Sequence, residues 1–296
     1  MDPFAPREHA PLEYWFWKMH VGDLAFLVDV IVRRRTGIAE TRVSLWLRGE
    51  GRVEHAPASH WSADSDLVVV GATELRPGAS HGAVGDIAWD LRWVEGPTLV
   101  TPLHRAVAWL EPLDLSIMIR PEARFSGTVD VAGERFEMTD LPGTFTHYWG
   151  RRLMDRWIWL SATQFDGAPD RRLEAIVSRS RLWGGPRLPT AAAYLWTTDG
   201  TSGDLVVSAI NGIVRTRRVP DGFALDAVRL GGSRHRVVAT WGHVPTNDLV
   251  KGSGRPCTRT SRSTASPPFR ALSVWRLATG RSDRGGFPRR MADWPA

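Results

Sequence analysis

The chain carries one cysteine, Cys257, in 296 residues. That excludes an internal disulfide framework and any cysteine-rich zinc site. Lysine is almost as scarce: Lys18 and Lys251 stand against 36 arginines, and Asn and Gln together number three. We read this skew as codon bias from GC-rich DNA, because arginines spread through every segment form no phosphate-binding cluster. Long apolar runs are missing as well. No stretch of eighteen apolar residues occurs, and the opening MDPFAPREHA lacks the basic and apolar regions of a signal peptide. The expectation is a cytoplasmic protein without a transmembrane segment, transient membrane contact being left open. No segment of twelve or more residues repeats its apolar positions at helical spacing, which leaves an all-β class, sandwich or barrel.

The net charge of +6 and a pI near 10.3 invite a nucleic-acid reading until the charge is located. Residues 251–296 are net +8, whereas residues 1–250 are net −2. The body of the protein has no basic face that would track phosphates, so nucleic acid is not expected as a partner. The run GSGRPCTRTSRSTASPPFR within that tail has no periodicity. It reads either as a flexible basic arm for an anionic partner or as text from a shifted reading frame, and the second is preferred because Arg- and Pro-rich sequence without stops is what GC-rich DNA yields out of frame.

Strand patterns fill the rest. Leu24 to Arg34 is rich in Val, Leu, Ile and Phe with Asp29 interrupting one face, and the Val21-Gly22-Asp23 turn before it makes Glu13 to His20 its hairpin partner. Thr41 to Leu47, Leu67 to Val70 and Asp86 to Val94 follow, with a Gly- and Pro-rich loop expected from Arg76 to Gly85. Phe125 to Val131 and Glu134 to Met138 read as a hairpin around Ala132-Gly133. Pro142-Gly143 reads as a boundary, after which strands resume at Trp157, Leu173, Ala192, Asp204, Ile213, Phe223 and Arg236. Glu13-Tyr14-Trp15 is echoed by His147-Tyr148-Trp149 at an offset of 134 residues, a natural domain length. The expected organisation is two β domains, 1–141 and 142–250, and the irregular tail 251–296.

The segment from Gly143 to Gly167 is the most informative. Trp157, Trp159, Ser161, Thr163 and Phe165 alternate with Ile158, Leu160, Ala162 and Gln164, so both faces of this strand are largely apolar. Such a strand is buried or lines a cavity for an apolar ligand. His147, Trp149 and Gly150, as His-x-Trp-Gly, followed by Trp157 and Trp159, as Trp-x-Trp, resemble the signature of the tocopherol cyclase and carotenoid 1,2-hydratase (hydroxyneurosporene synthase) group. The resemblance covers Leu12 to Asn247. It implies two lipocalin-like antiparallel β-barrel or sandwich domains in tandem and a hydrophobic, isoprenoid-like or polyketide-like small-molecule partner. RRLEAIVSRSR departs from the acid-bearing strand of the hydratases.

If the chain is an enzyme, the resemblance implies acid-promoted hydration or cyclisation with no cofactor. Adding a proton to an isolated double bond needs a buried acid and an apolar site that excludes water. Glu174 is the preferred donor, ahead of Asp155 and Asp166, because it interrupts the apolar run LEAIV after the Trp pair. His147 either relays the proton or latches the fold structurally. Tyr148, Trp149, Trp157 and Trp159 are the ligand-binding candidates, their π faces suited to a polyene or a transient cation. A pericyclic cyclase needs no acid, and a non-catalytic carrier or stress-related binding protein needs only the pocket. A nucleic-acid or membrane-surface protein acting through the tail is the weaker third reading. Gly78-Ala-Ser80-His-Gly82 matches a nucleophile elbow but precedes a strand rather than a helix, so it reads as a turn. No histidine, cysteine or carboxylate spacing suits a metal, and there is no phosphate-cradling loop.

Overall fold

The computed structural model of the protein describes residues 4–48, 50–101, 115–151, 156–162, 171–181, 185, 187–197, 203–208, 210–219, 222–232, 234–240 and 277–279, some strand residues by their backbone alone. Among them there are nineteen strands and no helix. The first eleven are β1 (Leu12–Val21), β2 (Leu24–Arg33), β3 (Ile38–Leu47), β4 (Glu50–Ala58), β5 (Trp61–Ala63), β6 (Val68–Val70), β7 (Thr73–Arg76), β8 (Ala79–Val84), β9 (Ile87–Val94), β10 (Leu115–Val131) and β11 (Glu134–Gly150). They form one antiparallel sheet in the order β4-β3-β2-β1-β11-β10-β9-β8-β7-β6-β5.

Contacts across its two ends curl this sheet into a nearly closed barrel. Thr41 Oγ1 donates to Thr73 Oγ1 at 2.9 Å, Trp61 Nε1 donates to the Gly37 carbonyl at 3.2 Å, and Arg52 pairs with Asp86 at 2.6 Å. Alternation then decides which side chains enter. Trp15, Trp17 and Met19 of β1 face the lumen with Phe26, Trp89, Trp93, Phe125 and Phe145. Trp93 lies 5.9 Å from Trp17, 5.2 Å from Phe125 and 5.4 Å from Phe145, ring centre to ring centre. The lumen is thus lined by aromatic side chains, each stabilising the fold by about 1.5–3 kcal/mol through burial.

The turns obey local chemistry. Val21 pairs with Leu24, leaving Gly22-Asp23 as a two-residue loop with Gly22 at φ +53°. Val131 pairs with Glu134 around Ala132-Gly133, both at positive φ, a geometry whose twist matches the flanking strands. The expected loop from Arg76 to Gly85 is instead the end of β7 and all of β8. Gly78 and Gly85 form the turns that flank β8 at φ +72° and +60°, whereas Gly82 serves packing, since a Cβ on it would stand 2.5 Å from the Trp89 ring. Ser80 is buried, accepting from Trp89 Nε1 and donating to the Glu74 carbonyl, both at 3.0 Å, so the G-x-S-x-G match is a strand. β4 lacked a sequence signal because it carries Pro57, which the sheet tolerates there since β4 is an edge strand.

Pro142-Gly143 lies inside β11, which runs unbroken through it. The 134-residue echo is a pairing in register, with Glu13 opposite Trp149, Tyr14 opposite Tyr148 and Trp15 opposite His147. Beyond the barrel, β12 (Arg156–Ala162), β13 (Arg171–Arg181), β14 (Arg187–Thr197) and β15 (Gly203–Val207) form a second sheet in chain order. β16 (Gly212–Val219), β17 (Gly222–Arg229), β18 (Arg234–Thr240) and β19 (Leu277–Thr279) form a third. Of the tail expected to be irregular, β19 is the described part.

β13 and β14 are buried on both faces. Leu173, Ala175, Val177, Ala191 and Ala193 pack on Val214, Leu225 and Ala227 of the third sheet. Ile176, Ala192 and Tyr194 pack on the outside of the barrel, against Tyr14, Phe16, Ile31, Ile117 and Tyr148. The molecule is therefore a lipocalin-like all-β assembly in which the barrel wall and the second sheet share an apolar interface.

Candidate functional site

The interface between barrel and second sheet is built on the outward row of β1. Tyr14, Phe16 and Lys18 point out because Trp15 and Trp17 point in. In register beside them stand Tyr148, Thr146 and Thr144 on β11, and Ile31, Asp29 and Leu27 on β2. The Phe16 ring stacks on Tyr148 at 5.4 Å, and Tyr14 meets Tyr148 edge-on at 6.5 Å.

Into this aromatic wall the second sheet inserts Glu174. One carboxylate oxygen accepts from Lys18 Nζ at 3.0 Å and the other accepts from Thr144 Oγ1 at 2.8 Å. The Glu174 side chain is 2% exposed and that of Lys18 16%. On the same barrel face, Arg42 donates through Nε and Nη2 to one Asp29 oxygen at 2.9 and 2.7 Å, both residues being buried. At the opposite margin Tyr194 donates to Glu122 Oε1 at 3.1 Å, with Thr98 Oγ1 at 3.2 Å.

Burial governs the electrostatics. It lowers the Lys18 pKa, against the pull of Glu174, and raises that of Asp29, against the pull of Arg42. It pushes Tyr14 up to about 12. Burial, with Asp29 and Glu174 nearby, holds Tyr148 well above the ordinary phenol, so both tyrosines are neutral at physiological pH. Removing ions from water costs several kcal/mol each, and an apolar substitute of equal volume packs at least as well. Two such charge pairs in an aromatic wall are therefore the candidate functional groups of this interface.

Of the sequence candidates, Glu174 and Tyr148 lie in this interface. His147 and Trp149 lie on the other face of β11, at one end of the barrel. His147 Nε2 is 2.8 Å from Glu13 Oε1, its ring stacks on Trp15 at 4.9 Å and meets that of Trp149 at 5.0 Å. Glu13 also pairs with Arg34 and accepts from the Arg7 backbone N–H at 2.7 Å, while the Arg7 guanidinium covers Trp149 and the Phe4 carbonyl accepts from Trp15 Nε1. These contacts tie the segment before β1 onto the barrel end. Trp157 and Trp159 stand opposite Ser178 and Ile176 in the backbone register of β12 and β13. Their side chains, and the alternative acids Asp155 and Asp166, lie outside the described residues.

Sequence reasoning passed over Lys18, Thr144, Phe16 and Arg42. Lys18 carried a signal, being one of two lysines among 38 basic residues. Among the described residues no group of three or more His, Cys, Asp or Glu side chains could hold a metal, and no helix is long and apolar enough to cross a membrane.

No family model matches the chain. The uncharacterized proteins MT0513 and Rv0493c of two Mycobacterium tuberculosis strains, CDC 1551 and H37Rv, are each 26% identical over 133 residues, 44% of this chain. That match spans 39% of the length of either relative. Solved structures of similar fold include an AttH-type protein (NE1406) of Nitrosomonas europaea, with a TM-score of 0.56 and 14% identity over 80% of this chain and 82% of that one. Kievitone hydratase of Nectria haematococca gives 0.52 and 10% over 80% and 78%. CghA with Sch210972 gives 0.56 and 12% over 78% and 76%.

Proposed function

We propose that the protein binds a hydrophobic small molecule, isoprenoid-like or polyketide-like, between the barrel wall and the second sheet, and converts it by cofactor-free proton transfer, as a hydratase or cyclase. The observation that carries this reading is the Lys18–Glu174–Thr144 group, brought from two sheets into an interface walled by aromatic side chains. A hydratase among the proteins of similar fold supports the reaction class, and the position of the Lys18–Glu174 pair outside the lumen favours the interface over the barrel interior. Glu174 moves the proton, Thr144 fixes its orientation, Lys18 supplies the balancing charge, and Phe16 with Tyr148 shields developing positive charge. Trp157 and Trp159 belong to the same site on this reading. His147 and Trp149 serve the latch at the barrel end instead.

Native mass spectrometry with organic extraction, on protein from its own host, identifies the ligand. Incubation of that ligand with the protein in D2O then tests the chemistry. The expected result is an isomeric or hydrated product carrying solvent deuterium, at least a hundredfold slower with Glu174→Gln while binding stays within twofold. Return of the ligand unchanged from wild-type protein contradicts the catalytic part and leaves a carrier.

A further inference from the structure

A counter-charge to Glu174 needs no lysine, and an arginine would serve that purpose better. Arginine is always charged, is cheaper to desolvate and holds a carboxylate with two parallel bonds. This chain uses arginine 36 times and lysine twice, yet lysine stands at the position facing Glu174. What a lysine offers that an arginine cannot is a neutral, nucleophilic amine. Resting on the ligand reading above, we infer that Lys18 is a covalent ligand-binding residue, its Nζ condensing with the aldehyde or ketone of a hydrophobic guest to form an imine.

The geometry supplies each requirement. Lys18 stands beside the aromatic wall of Phe16 and Tyr148, where an apolar guest would lie, and 16% of its side chain stays accessible. Burial already weakens its hold on the third proton. Glu174 is 3.0 Å away to receive that proton, and Thr144 fixes the second carboxylate oxygen so that the first stays on the amine.

The step balances within these groups. The ammonium passes a proton to Glu174, leaving an amine and a carboxylic acid. Nζ attacks the carbonyl carbon, a C–N bond forms, and one Nζ proton moves to the carbonyl oxygen to give a carbinolamine. Glu174 returns its proton to that hydroxyl, the C–O bond breaks and water departs. The product is an iminium at Nζ paired with the Glu174 carboxylate, so the site carries the same two charges before and after. No oxidant or reductant takes part.

The test uses the full chain with farnesal, and with farnesol as the matched alcohol, followed by borohydride reduction and peptide mapping. Displacement of a fluorescent apolar dye reports binding of either probe independently of covalent capture. The expected result is binding of both probes and one reduced farnesal adduct per chain, on the Lys18 peptide. The adduct should exceed that on the Lys251 peptide or the N-terminus at least tenfold, form at least tenfold more slowly with Glu174→Gln, and vanish with Lys18→Arg. Farnesal that binds but leaves no adduct on Lys18, or labels all three amines alike, overturns the imine and leaves the ligand site standing. Failure of both probes to displace the dye counts against both readings. The wild-type result decides the matter even if a variant does not fold.

Discussion

Lys18 and Glu174 are separated by 156 residues and share one hydrogen bond. Each residue alone was visible in the sequence, Glu174 as a charge inside an apolar run and Lys18 as a rarity, but their partnership depends on how two sheets pack. Composition alone reads the scarcity of lysine as codon bias, because a count cannot tell a surface cation from a partly buried one. The pair makes a stability prediction. Lys18→Met or Glu174→Leu alone leaves a buried charge and should cost about 3–5 kcal/mol, whereas the double variant should lose far less and regain most of the wild-type value. Urea denaturation of the four proteins measures this, and additive losses would show that the pair is not coupled. His20, further along β1, makes a second prediction. Burial holds its pKa down to about 4 against the usual 6.5, partly offset by Asp23. The unfolded chain therefore takes up a proton near pH 6.5 that the folded protein refuses until about pH 4. Stability should fall through that window as pH drops, by about 2–3 kcal/mol once solvent at the edge of the ring is allowed for. His20→Gln should flatten that slope between pH 7 and 4.5, and an unchanged slope would place the acid sensitivity elsewhere.

At the scale of strands, apolar composition bounded by turn residues located β1, β2, β9 and β13, because aromatic and β-branched runs between turns admit few other arrangements. It failed where glycine served packing. Gly82 makes room for Trp89 in β8, and Gly143 lets β11 run close past β1, yet both suggested loops or a boundary. A Cβ on Gly143 would stand 2.5 Å from the Lys18 carbonyl oxygen and 2.6 Å from the Phe125 ring. Gly143→Ala should therefore cost about 1–3 kcal/mol through overpacking and displace Lys18 from Glu174. Thermal melts and dye binding together test this: a variant with wild-type stability and affinity would mean that the backbones have slack there. The repeat of Glu13-Tyr14-Trp15 in His147-Tyr148-Trp149 teaches the same lesson. Two similar motifs suggest duplicated domain openings, but here they face each other in one antiparallel ladder, which makes one row of aromatics for the lumen and another for the interface.

As a whole the molecule is layered: barrel, second sheet, third sheet, with polar ties across the first junction at Glu174 and at Tyr194. The all-β class was legible, since neither helical periodicity nor long apolar runs compete with the strand signal, and the lipocalin-like form was legible through the resemblance carried by His147, Trp149 and Gly150. The location of the proposed site was only half legible, because one face of β11 supplies the barrel end and the other supplies the junction, and a sequence motif does not say which face carries function. A ligand held at the junction binds only the assembled layers, so at a hundredfold excess over its Kd it should stabilise the fold by about 2.7 kcal/mol and raise a single melting transition. A guest that raises only part of the melt would mean that the layers unfold independently. The central claim, that the guest lies between the barrel wall and the second sheet, is tested most directly by hydrogen–deuterium exchange of the wild-type protein with and without its extracted ligand. The account predicts slowed exchange in β13 and β14, around Glu174, Ile176 and Ala192, which do not line the lumen. Slowed exchange confined to β7, β8 and β9 would place the ligand inside the barrel and contradict it.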